Sequence, residues 1–122
     1  MMREFHATAV EVFTDEGMLT VHFDDGADHY LQLQSPEADT EDFETGYGSV
    51  YVELDDQSNA GVNCFSAADL TRTSFRLTLA RDAAMSNHGI VVVTFEIDDD
   101  AYASLRLGLE RLFRSFTGFS TA

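Results

Sequence analysis

The sequence predicts an α+β fold that is mostly β: an antiparallel sheet of about six or seven strands with one C-terminal amphipathic helix packed on it. Three observations carry this. Short runs alternate apolar and polar residues through most of the chain, as half-buried strands do. Clusters such as Asp15-Glu16-Gly17 and Asp24-Asp25-Gly26 punctuate them as turns. The period then changes to that of a helix over residues 98–116.

The first strand is expected over residues 4–14. Phe5, Ala7 and Ala9 fall on one face, Val10 and Val12 on the other, which implies a register shift midway. After the turn at 15–17, Leu19, Val21 and Phe23 alternate with Thr20, His22 and Asp24. The chain returns through Leu31 and Leu33. With Ala27 at the centre of a three-residue loop, Phe23 faces Leu31 and Val21 faces Leu33, apolar against apolar. The same register sets His22 opposite Gln32 and His29 opposite Asp25.

Residues 35–48 hold the chain's one proline, five acids and two glycines. They read as a long acidic loop with a helical turn begun by Ser35 and Pro36. A strand over 49–56, a turn over 57–61 and a short strand over 62–68 follow. Phe75, Leu77 and Leu79 mark a strand over 74–80, and residues 81–89 read as a loop. The run 90–97 is the most apolar and is expected to be central. In the helix, Tyr102, Leu105, Leu109, Leu112, Phe113 and Phe116 make one stripe. Asp98, Asp99 and Asp100 meet its positive end, Arg111 and Arg114 its negative end, and Gly118 follows it. There is no repeat and no linker, so residues 1–122 are expected to form a single domain.

A chain of 122 residues buries roughly two thirds of the surface its unfolded form exposes, enough for one core. Cys64 is the sole cysteine, so no intramolecular disulfide is expected. The N-terminus lacks the apolar run of a signal peptide, and no stretch approaches the ~18 apolar residues of a membrane span. A cytoplasmic protein is expected. Twenty-two acids stand against seven arginines and no lysine, for a net charge of -15. That field repels phosphate and anionic lipid, which argues against nucleic-acid or membrane binding. It attracts basic partners; solubility or a salty cytoplasm explains it equally well.

Candidate chemistry centres on "YVELDDQSNAG", residues 51–61. As a strand it turns Val50, Val52 and Leu54 to one face and Tyr51, Glu53, Asp55 and Gln57 to the other. Glu53 and Asp55 would lie about 7 Å apart as a carboxylate pair. A solvated face is the favoured reading of them, with a hydrolytic dyad far behind. Ser49 precedes a strand and lacks the strand-to-helix elbow of a nucleophile. Cys64 reads as a small core residue. The four histidines, His6, His22, His29 and His88, are scattered, and no metal is expected. A calcium loop fails too: counted from Asp56 the sixth residue is Gly61, but the twelfth is Ala67. Physics alone favours a wet sheet face over a contact row.

The same stretch resembles the YxExxxQ signature of the immunity protein ten family of bacterial polymorphic toxin systems. The layout resembles it as well: an N-terminal strand pair, an acidic segment before the tyrosine, the "LTRTSFRLTL" strand pair and a helix after an apolar strand. The chain departs from the family at "GVNCF". The resemblance implies a mostly β antidote that binds and neutralises a cognate toxin, with no cofactor and no catalysis. Its motif residues are Tyr51, Glu53 and Gln57. The charge adds a basic toxin domain as the expected partner, since acids can stand in for phosphate at a nuclease site. Asp39, Glu41, Asp42 and Glu44, with Asp55 and Asp56, are the expected contacts. The alternative is a small ligand-binding or homo-oligomeric assembly domain, such as a homodimer joined by a sheet edge. A hydrolase using Glu53 and Asp55 is the third reading.

Overall fold

A strand with apolar residues at every second position has one face that must leave water. The computed structural model, which describes residues 2–36, 50–80, 89–114 and 116–121, meets that demand with two sheets rather than one. The strands are β1 (Met2–Ala7), β2 (Ala9–Asp15), β3 (Met18–Asp24), β4 (Tyr30–Pro36), β5 (Tyr51–Leu54), β6 (Asp56–Val62), β7 (Phe65–Leu70), β8 (Ser74–Leu79), β9 (Ile90–Phe95) and β10 (Phe119–Thr121). The helix α1 (Asp99–Leu112) precedes β10. The first sheet runs β1-β9-β8-β7-β10 and the second β2-β3-β4-β5-β6. The class is the expected α+β, mostly β. The first sheet is mixed, because β1 pairs with β9 and β10 with β7 in parallel.

The single strand expected over 4–14 is two strands in different sheets. Thr8 sits between them, its amide bonded to Asp24 O at 2.8 Å. Phe5 and Ala7 are buried before the break, while Val10 and Val12 face the core after it. The parity change in the sequence is therefore a change of sheet. The β2–β3 turn is a two-residue reversal at Glu16 and Gly17, both at positive φ, 51° and 80°. That is the mirror-image turn whose twist matches a hairpin. The next hairpin has the expected register, with Phe23 opposite Leu31, Val21 opposite Leu33 and His22 opposite Gln32.

The strand and turn expected over 49–61 are replaced. β5 ends at Leu54 and the chain reverses at Asp55, which takes φ 66°. Residues 57–61 belong to β6, not to a turn. Asn63 closes the other end of this pair, exchanging two bonds of 2.8 Å with the backbone of Val50. Ser35 and Pro36 complete β4, and residues 37–49 and 81–88, with Ser49 and His88, lie outside the described residues. β9 pairs on both sides, with β1 and β8, and buries Val91, Val93 and Phe95.

The inner faces meet through aromatic rings. Phe23 stacks on Phe75 and Phe95, with centroids 5.5 Å and 6.1 Å away. α1 packs against β2, β3 and β4, with Leu105, Leu109 and Leu112 fully buried. Asp98 caps it, accepting from the Ala101 amide at 2.8 Å. Arg72 anchors its first turn, donating to Ile97 O at 2.8 Å and to Asp99 at 2.9 Å, above the Tyr102 ring. The helix ends at Leu112, short of the expected residue 116, because Phe113 turns in to meet Phe65, Phe75 and Phe119. No helix among the described residues is long and apolar enough to cross a membrane.

Helix and sheet approach closely at Gly108, where a Cβ would stand 2.7 Å from Val12 Cγ1. In most helices Gly→Ala stabilises by about 0.5–1 kcal/mol. Here Gly108→Ala is expected to cost about 1–3 kcal/mol by overpacking. Urea denaturation should show a lowered midpoint, partly restored when Val12→Ala is added. A raised midpoint would contradict the packing described.

Candidate functional site

Pairing of β4 with β5 sets Gln32 opposite Glu53 and Gln34 opposite Tyr51. Leu31, Leu33, Val52 and Leu54 face the core, so Tyr30, Gln32, Gln34, Tyr51 and Glu53 share the outer face of the second sheet. Thr20 and His22 of β3 continue it. Although it points outward, Glu53 is only 7% exposed. A carboxylate removed from water without a cation needs donors on both oxygens. It has them. Tyr51 donates its hydroxyl to Oε1 at 2.6 Å, and Tyr30 donates to Oε2.

The phenols register this arrangement. Burial, then the bond to Glu53 and its negative charge, push the Tyr51 hydroxyl up to about 12. The same causes in the same order raise Tyr30 further. The His22 ring stacks on Tyr30 with centroids 5.5 Å apart. Its two nitrogens lie 3.0 Å from Gln32 Oε1 and 3.3 Å from Asp24 Oδ2. Gln34 donates to Thr20 at 3.1 Å. The outer face is thus a connected layer of polar side chains.

Asp55 does not join it. Its left-handed backbone turns it toward the edge, where Oδ1 accepts the Tyr30 amide at 3.0 Å. Its Oδ2 accepts from Arg3, which also contacts His29 Nδ1. This clasp ties β1 of the first sheet to the β3–β4 and β5–β6 connections of the second. Glu53 and Asp55 therefore answer to different partners, and neither is a free base. Gln57 is exposed on β6, across the reversal from Tyr51 and Glu53, so the three motif residues do not share a strand face as expected. Asp56 is exposed, and bonds from the Ser58 amide and hydroxyl hold its carboxyl below the usual range. Asp39, Glu41, Asp42 and Glu44 lie outside the described residues. Among the described residues no group of three or more His, Cys, Asp or Glu is placed to hold a metal.

Sequence reasoning missed Tyr30, Arg3 and His29 as partners of the motif. Tyr30 was legible in part: it alternates with Gln32 and Gln34 on the polar side of β4. What brings it to Glu53 is pairing across residues 37–49, which local patterning does not specify. The charge is also partitioned. Residues 4–71 carry sixteen of the twenty-two acids and no arginine or lysine, while residues 72–122 carry six acids and six arginines. The second sheet lies wholly in the acid-only stretch.

Tyr51→Phe is expected to remove a late step, near pH 12, from the ultraviolet phenolate titration. Glu53→Gln should move that step toward the ordinary value of about 10. A phenol whose folded value is raised stabilises the fold fully below about pH 10 and ceases to as pH rises through the folded value. Stability of the natural chain should therefore fall between about pH 10 and 12, and Tyr51→Phe should flatten that decline. At neutral pH, Glu53→Ala should cost about 1–3 kcal/mol by removing the acceptor shared by two half-buried hydroxyls. A phenolate titration unchanged in Tyr51→Phe and Glu53→Gln would contradict the network.

No curated protein and no solved structure matches the chain. The family model described as Immunity protein 10 matches residues 6–104, a span that includes the second sheet, most of the first and the start of α1. On that match, the chain belongs to the Immunity protein 10 family.

Proposed function

We propose that the chain binds and neutralises a cognate toxin domain made by its own cell, through stoichiometric contact steered by charge and without catalysis. The observation that carries this is the acid-only stretch 4–71, placed in a chain of an immunity protein family. A surface of one sign raises encounter rates with a basic partner and disfavours acidic ones. A nuclease is the fitting class of toxin, because its basic cleft accepts carboxylates where it would accept phosphates.

Asp39, Glu41, Asp42 and Glu44 carry most of this steering, with Asp56 exposed at the sheet end. Asp55 has its charge offset by Arg3 and contributes by holding the β5–β6 reversal in place. Tyr51 and Glu53 keep the polar face rigid.

The reading expects a toxin domain encoded directly upstream, at the C-terminus of a large secreted protein. Co-expression of that domain should kill, and this chain should relieve the killing. With Asp39, Glu41 and Asp42 all changed to lysine, association should slow at least tenfold. The urea midpoint should stay where it is. An unchanged association rate would assign these acids to solubility, and a collapsed midpoint would assign them to folding.

A further inference from the structure

We propose that the outer face of the second sheet is the surface on which a basic face of the toxin docks, its arginines and lysines donating to tyrosines fixed as acceptors. The inference rests on the binding reading above and names its surface.

Two cross-strand rows define the face. One runs Phe13, Thr20, Gln34, Tyr51, Val62 and the other Glu11, His22, Gln32, Glu53, Ala60. Thr20 and Glu53 are buried, at 1% and 7% exposure, so the side chains a partner meets are the others. Five strands at ~4.8 Å spacing make it about 20 Å wide, enough to seat a partner's helix or loop. Among the described residues, three large apolar side chains are exposed, and two of them end the first row: Phe13, 44% exposed, and Val62, 42%. Standing on the two edge strands, they offer a partner an apolar contact on either side of the polar rows.

The hydroxyl protons supply an argument independent of net charge. Tyr30 and Tyr51 both commit their protons to Glu53. Each phenol oxygen is left with lone pairs only, so toward a partner it accepts and does not donate. The buried carboxylate behind them makes them better acceptors. Arginine and lysine are donors without acceptors, and arginine also stacks on aromatic rings. Because His22, Gln32, Gln34 and Thr20 are already bonded to one another or to Asp24, little ordering remains to be done on docking.

The outer face of the first sheet provides the contrast. Its row Glu4, Val92, Arg76, Asp69, Ser120 sets an arginine between two acids. That is the mixed surface of a solvated sheet.

A hexa-arginine peptide titrated into the whole chain tests the surface by amide-resolved NMR. Shifts at Thr20, Gln32, Gln34 and Tyr51, with Arg76 and Val92 unmoved, are expected. Shifts that spare those four positions would overturn the proposal. The second arm uses the toxin domain encoded beside the gene. Phe13→Ala and Glu11→Arg, both exposed positions on an edge strand, should weaken binding roughly tenfold or more. Glu4→Arg, the same change of charge on the other sheet, should weaken it through steering alone, clearly less than Glu11→Arg does. If Phe13→Ala binds as the natural chain does and Glu11→Arg weakens binding no more than Glu4→Arg, the surface is wrong while the immunity reading stands. If the natural chain itself fails to bind and protect, the immunity reading fails, and the peptide map alone decides whether the face takes basic partners.

Discussion

Everything in this molecule depends on an apolar contact that holds an acid-only layer to a charge-balanced one. The second sheet carries no arginine or lysine, and its acids repel one another. Leu19, Val21, Phe23, Leu31 and Leu33, all at most 1% exposed, close it against the first sheet and the helix. Phe23, stacked on both Phe75 and Phe95, joins the two sheets in that closure. Burying a phenylalanine is worth roughly 2–3 kcal/mol, more than a surface charge pair costs or contributes. The core can therefore tolerate a lopsided charge distribution.

One carboxylate is treated differently from the rest. Glu53 is withdrawn from water on the polar side of the sheet and held by two phenols instead of a cation. Two oxygens facing two donors fix both side chains of the Tyr51–Glu53 pair and bring in Tyr30 from the neighbouring strand. The first two residues of the family signature are thus bonded to each other, with Gln57 exposed beyond the reversal. The Arg3–Asp55 clasp does the equivalent at the sheet edge, using the one basic residue that precedes the acid-only stretch.

Much of this was legible in the sequence where one face of an element is buried. Burial of Phe23, Val21, Leu31 and Leu33 forces a single hairpin register, because a one-residue slip would expose all four. The helix stripe and the Asp98 cap were equally plain. Illegibility began where tertiary structure overrides pattern. Asp55 takes a left-handed conformation that side chains rarely adopt, so the reversal there carried no glycine to announce it. β10 spans only Phe119–Thr121, too short for periodicity. The sheet change at Thr8 did leave a trace, the switch of apolar parity between Ala7 and Val10, which two sheets explain and one sheet does not. The Tyr30–Glu53 contact needed β4 and β5 to be neighbours, a fact of topology.

The account's central claim is that this scaffold acts by presenting fixed acceptors and negative charge to a basic protein. The association rate constant with the toxin domain, followed as salt rises from low to several times physiological strength, measures that claim most directly. Screening shortens the reach of the field from about 30 Å at roughly 10 mM salt to a few ångströms near 1 M. The account predicts a steep fall in association with a much smaller change in dissociation. An association rate that stays flat across that range would contradict it.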